Sequence, residues 1–160
     1  MNTRKLLGGI GLVTALALTA CGGGDQEPAE GNSGAGDEAA TTTIEVSADP
    51  NGALAFVPTT LTAPADQPFT VNFQNPEGAN QPHNFVIVEQ GQEQAVAQAG
   101  LAAQGDVPED TAGLLVDADV LQPGNSEEIE VERLAAGTYT YICTYPGHYP
   151  SMQGTITIGQ

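Results

Sequence analysis

The sequence predicts an all-β fold, a β-sandwich with one short helix in a flap around residues 91–105. Three observations carry this expectation. Short runs alternate apolar with polar residues, the period of a half-buried strand. Turn signals separate the runs, in a chain with 20 Gly and 11 Pro among its 160 residues. Apolar content is moderate and Trp is absent, over the length of one domain plus a tail. Many short strands between turns bury their apolar faces best as two stacked sheets.

The first forty-one residues stand apart from that pattern. Arg4 and Lys5 precede an apolar run, Leu6 to Ala20, so residues 1–20 read as a targeting segment. The run is too short for a comfortable membrane span. It ends in Leu18-Thr19-Ala20-Cys21, which resembles the lipobox of bacterial lipoproteins. That resemblance implies cleavage before Cys21 and a diacylglyceryl group on its thiol. Two acyl chains suffice for stable anchoring, here to the outer face of the cytoplasmic membrane. The plainer alternative is a secretory leader cut nearby, with an incidental Cys. Residues 21–41 are acidic and rich in Gly, Ala and Ser, with no apolar period, and read as a flexible linker. About twenty such residues reach roughly 25 Å.

The domain is expected over residues 42–160. Ile44, Val46 and Ala48 alternate as a first strand, and Asp49-Pro50-Asn51-Gly52 turns the chain. Phe56-Val57-Pro58 and Leu61 follow, the Pro marking an edge or a bend. Phe69, Val71 and Phe73 alternate cleanly. Asn84 to Val88 reads as a strand with Phe85 and Ile87 on one face. Residues 92–99 have high helix propensity, and Val96, Ala99, Gly100 and Ala103 would share a face. Leu114 to Val120 reads as an apolar strand. Ile129 and Val131 alternate with glutamates, Thr138 to Cys143 forms another strand, and Gly154 to Ile158 the last.

The chemistry concentrates in Cys143-Thr144-Tyr145-Pro146-Gly147-His148-Tyr149-Pro150-Ser151-Met152. The spacing is Cys-x4-His-x3-Met, on a Pro/Gly turn rather than a helix. His83, in Pro82-His83-Asn84, is the chain's other histidine. Singly, a Cys or Met is most often core filling. Together, two His, one Cys and a weak Met describe a blue-copper electron-transfer ligand set. A disulfide between Cys21 and Cys143 is rejected, since it would join a tail to the metal loop and destroy the thiolate ligand.

The ligand loop resembles that of azurin and auracyanin in the cupredoxin family, whereas Pro82-His83-Asn84-Phe85-Val86 looks more like plastocyanin. That mixture, with a lipoprotein leader, most resembles the auracyanins. The resemblance covers about residues 42–160 and implies the Greek-key cupredoxin fold. It implies one copper, held by His83, Cys143 and His148 with Met152 as weak axial ligand. It places Asn84 behind the Cys loop, with its backbone N–H directed at the sulfur. It puts the docking surface and electron exit at Pro146, Gly147, His148 and Tyr149, with His148 less buried than His83. The implied partners are a quinol-oxidising membrane complex as donor and a cytochrome c, or a reaction-centre cytochrome, as acceptor. Catalysis at copper is not expected, because no histidines remain for further copper centres. The alternative is a periplasmic copper-binding or copper-delivery lipoprotein, but such open sites are rich in Met and His, and this chain has two of each. A structural zinc module fits worse, since Met is a poor zinc ligand.

The formal net charge is −17. Loss of residues 1–20 leaves Arg133 as the sole side-chain cation against 20 acids, which disfavours nucleic acid as a partner. Two roles for this charge stand side by side: solubility, and steering toward a basic redox partner.

Overall fold

The computed structural model describes residues 41–159. The expected targeting segment, Cys21 and all of the linker but Thr41 lie outside the described residues. In chain order the strands are β1 (Thr42–Ala48), β2 (Phe56–Val57), β3 (Thr60–Pro64), β4 (Phe69–Asn75) and β5 (Val86–Val88). The one α-helix among the described residues, α1 (Glu93–Ala102), precedes β6 (Leu114–Asp117), β7 (Asn125–Val131), β8 (Gly137–Ile142) and β9 (Gln153–Gly159). They form two sheets, in the orders β2-β1-β4-β7 and β3-β9-β8-β5-β6. The β1–β4 and β3–β9 pairs are parallel and the other pairs antiparallel.

Each sheet turns its alternating apolar set inward. Ile44, Val46 and Ala48 of β1 are buried, as are Phe69, Val71 and Phe73 of β4 and Ile156 and Ile158 of β9. Pro58 falls where the chain leaves the first sheet after β2 and enters the second at β3. No ladder bond is needed there, which is where a Pro is tolerated.

Aromatic rings fill the space between the sheets. Phe56 lies edge-on to Phe73, Phe85 and Tyr141, with centroids 6.0, 5.9 and 5.0 Å away. Tyr141 donates its hydroxyl to the Pro58 carbonyl at 2.8 Å, so its polar end is satisfied inside the core. Such a bond contributes about 1 kcal/mol net. Opposite Tyr141 in the ladder stands Gly154, where a side chain would run into the Tyr141 ring.

A second, smaller cluster lies on the outer face of the second sheet. Val86, Val88 and Ile142 pack there against Val96, Ala97 and Val107. Both faces of β5 are therefore buried, and α1 is the cover. The buried face of α1 is Val96, Ala97 and Gly100, with Ala99 and Ala103 only half-buried. This face is rotated slightly from the expected one, because Gly100 sits against Thr144. A Cβ at Gly100 would come within 3 Å of the Thr144 side chain, so the missing side chain lets the flap close on the residue after Cys143.

Two strands are shorter than their sequence pattern, and both departures serve the ligand region. The ladder of β5 starts at Val86 rather than Asn84, because the Asn84 backbone N–H turns to the Cys143 sulfur. The run expected to reach Val120 stops at Asp117. The chain then pairs again at Leu121, which exchanges two backbone bonds with His83, at 3.1 and 2.8 Å. That isolated bridge fixes the backbone at His83.

Candidate metal centre

β8 delivers Cys143 as the first residue beyond its last ladder pair, Ile142 with Gln153. The Cys143 N–H then donates to the Met152 carbonyl at 3.1 Å, closing the mouth of the loop. Inside the loop, Tyr145-Pro146-Gly147-His148 forms a tight turn, with the His148 N–H donating to the Tyr145 carbonyl at 3.1 Å. Gly147 has φ +86, the left-handed value that the third position of a type II turn requires, and Pro146 pre-sets the second. The Met152 N–H then donates to the His148 carbonyl at 3.0 Å, so the x3 spacing closes as a turn that returns the Met152 backbone beside His148.

The structure brings the sequence-predicted ligands together. Cys143 Sγ lies 3.4 Å from His148 Nδ1 and 3.8 Å from His83 Nδ1. The three ligand atoms all lie within 4.8 Å of one another. His83 is 1% exposed, His148 2%, and Cys143 and Met152 0%. One soft thiolate, two imidazole nitrogens and a buried thioether are donors that fit copper in either oxidation state.

A closed hydrogen-bond ring stands behind the cysteine. Asn84 Nδ2 donates to Thr144 Oγ1 at 2.8 Å and to the Gly105 carbonyl at 3.0 Å. Thr144 returns its backbone N–H to Asn84 Oδ1 at 2.9 Å and its hydroxyl to the Gly105 carbonyl at 2.6 Å. All of these bonds are buried, so losing one partner would leave an unsatisfied group costing about 1–3 kcal/mol. The ring ties three segments together: the His83 loop, the flap and the Cys loop. Asn84 was expected at this position. Thr144 and Gly105 were not, though a hydroxyl directly after the ligand Cys was a signal that could have pointed to Thr144.

The expected difference in burial between the two imidazoles does not hold. His148 is as enclosed as His83, because two side chains cover its ring. Tyr145 lies 5.0 Å from it, centroid to centroid, and Gln81 places Oε1 3.2 Å from His148 Nε2. Of the other residues expected at the exit, Gly147 is exposed, and Pro146 and Tyr149 are half-buried. Nothing in the sequence singled out Gln81, 67 residues from His148.

Burial sets the protonation states. It lowers His83 to about 4, with the neighbouring His148 adding to the effect, and it lowers His148 as well. Both imidazoles are therefore neutral at neutral pH and keep a lone pair for a metal. Burial also pushes the Cys143 thiol up to about 11, against the pull of the Asn84 and Tyr145 backbone N–H groups. A bound cation supplies the charge that makes it a thiolate.

Between pH 7 and 9 the free site holds one displaceable proton, on Cys143, and none on either imidazole. Each metal ion bound should release one proton, and affinity should rise about tenfold per pH unit. As pH falls, His148 and then, at about 4, His83 also protonate, and the dependence should steepen. Proton release on adding Zn²⁺, read in weakly buffered solution at pH 8, checks this. Release of two protons, or of none, contradicts it.

Comparison with known proteins agrees with this geometry. Residues 42–159 match the family described as copper binding proteins, plastocyanin/azurin family. Auracyanin-A of Chloroflexus aurantiacus is 37% identical over 149 residues, covering 90% of each chain. Auracyanin-B of the same organism is 38% identical over 137 residues, which cover 81% of this chain and 57% of that one. Among solved structures, dithionite-reduced auracyanin from the photosynthetic bacterium Roseiflexus castenholzii matches with a TM-score of 0.66 at 35% identity, covering 75% of this chain and 98% of that one. Auracyanin A of Chloroflexus aurantiacus, described as a "blue" copper protein, matches with a TM-score of 0.64 at 35% identity, covering 74% and 98%. The chain belongs to the plastocyanin/azurin family of copper-binding proteins, and it is a blue copper protein whose metal site is His83, Cys143, His148 and Met152.

Proposed function

We propose that this protein carries single electrons between membrane-associated redox proteins of a photosynthetic or respiratory chain. The observation that carries the reading is the closed donor set. Two neutral imidazoles, a cysteine and a thioether are buried together and held from outside by bonds that involve no metal. When bound, copper supplies the one-electron Cu(I)/Cu(II) couple. A rigid site keeps the donors where they are in both states, so little reorganisation opposes transfer.

The docking surface in this reading is the 146–150 loop. Residues 143–152 include no Asp, Glu, Lys or Arg, and His148 is neutral at neutral pH, in a chain of net charge −17. Beside the loop runs a groove of about 420 Å³, lined in part by Leu101, Tyr145, Tyr149 and Pro150. Leu101 of α1 is 53% exposed there. An uncharged contact of this kind forms briefly and releases quickly. The surrounding acids favour a basic partner face, and a cytochrome c as acceptor and a quinol-oxidising complex as donor fit that chemistry. Membrane attachment through lipidated Cys21 and the 21–41 linker, on the outer face of the cytoplasmic membrane, completes the proposal.

Two experiments test it. Tyr149→Lys alters the docking surface without removing a ligand. The variant should keep its blue absorption and reduction potential, yet transfer electrons to a basic cytochrome c several-fold more slowly in stopped flow. Wild-type rates would move docking elsewhere on the surface. Separately, Cys21→Ser should shift the protein from the membrane fraction to the soluble fraction. A variant that stays membrane-bound would rule out the lipid anchor.

A further inference from the structure

The exit ligand is not the outermost group on its side of the protein. His148 is 2% exposed, whereas Gln81, whose carboxamide oxygen lies 3.2 Å from His148 Nε2, is exposed. His148 Nδ1 faces Cys143 Sγ at 3.4 Å, so Nδ1 is the ligand atom. In a neutral imidazole with Nδ1 free, Nε2 carries the hydrogen. The contact is therefore Nε2–H donating to Gln81 Oε1, at the long end of the normal range for N–H···O bonds.

Gln81 is itself held in place. Its backbone carbonyl accepts from Asn75 Nδ2 at 2.9 Å. Asn75 is fully buried at the end of β4, and the same Nδ2 also donates to the Leu121 carbonyl at 2.8 Å. Leu121 in turn exchanges two backbone bonds with His83. Pro82 follows Gln81 and restricts it to extended backbone. One buried amide thus joins the backbone that carries Gln81 to the backbone that carries His83. Through the Gln81 side chain this frame reaches across to the loop that carries His148.

We propose that Gln81 is the positioning residue of His148. It holds the imidazole in the Nε2–H form, fixes the plane of the ring, and covers its Nε2 edge. A ligand imidazole whose second nitrogen is hydrogen-bonded is better oriented and more basic toward its metal. An exposed glutamine that merely drifts near the ring would have none of these effects. The proposal rests on the copper site. It does not depend on where partners dock, so failure of the Tyr149→Lys test would leave it standing.

The test uses the fact that the chain has two histidines. In the full protein loaded with Zn²⁺ as a diamagnetic stand-in, each ring contributes one Nε2–H signal in the ¹H–¹⁵N spectrum, and His83 serves as the internal control. Gln81→Ala should speed solvent exchange of the His148 Nε2–H by up to about tenfold, the effect of losing one ordinary hydrogen bond, and leave the His83 signal unchanged. Gln81→Glu offers a charged and stronger acceptor. It should move the His148 Nε2–H signal downfield and lower the reduction potential of the copper-loaded protein, because a more basic ligand and an added negative charge both favour Cu(II). The proposal is overturned if exchange of the His148 Nε2–H is unaltered in Gln81→Ala, or if Gln81→Glu leaves both the signal and the potential at wild-type values. Equal changes in the two histidine signals would also overturn it, since they would report a general loosening of the fold.

Discussion

The buried ring of hydrogen bonds among Asn84, Thr144 and Gly105 is the interaction on which the copper site depends. It joins the loop entering β5, the end of the flap that carries α1, and the start of the ligand loop. Each polar atom in it is paired inside the protein, so the segments cannot separate without leaving an amide or hydroxyl unsatisfied away from water. With those segments fixed, the Asn84 backbone N–H is directed at the Cys143 sulfur, and His83 is presented from the adjoining residue. The packing serves the same end. Gly100 lacks the side chain that would hold α1 off Thr144, and the Pro146–Gly147 turn aims His148 back toward Cys143.

The ligands were legible in the sequence because their chemistry is local. Cys143, His148 and Met152 lie within ten residues, and the Pro-Gly turn between them determines how the loop folds back. His83 was the remaining histidine. The strands were legible where alternation is clean, as in β1 and β4, since the inward face of each is set by a two-residue period. The ends of β5 and β6 were not. There the apolar pattern continues while the backbone leaves the ladder, because the Asn84 N–H and the Leu121 backbone are taken up by long-range partners. The burial of His148 was missed for the same reason. It is decided by Tyr145 inside the loop together with Gln81, an ordinary polar residue on another loop, and no spacing within the ligand loop encodes the Gln81 contact.

Charge and site divide the surface between them. The acids are dispersed over the domain, and some are crowded. Burial, reinforced by Asp106, Asp119 and Glu127, raises Asp117 to about 6. Such crowding opposes folding at neutral pH, so the aromatic core around Phe56 and Tyr141 must offset it. The ligand loop carries none of this charge. In the function proposed above, this charge would steer a basic partner, and an uncharged loop would let it release quickly.

The central claim is that the protein, and not the metal, holds the ligands in place. Native-state hydrogen exchange on the copper-free protein tests it most directly, at four amides of the ligand loop. Those of Cys143, Thr144, His148 and Met152 all donate within the protein: to the Met152 carbonyl, Asn84 Oδ1, the Tyr145 carbonyl and the His148 carbonyl. They should be protected without copper to nearly the extent seen in β8, and copper should add little. Amides that exchange as freely as an unstructured chain until copper is added would mean that the metal builds the loop, and would contradict the account.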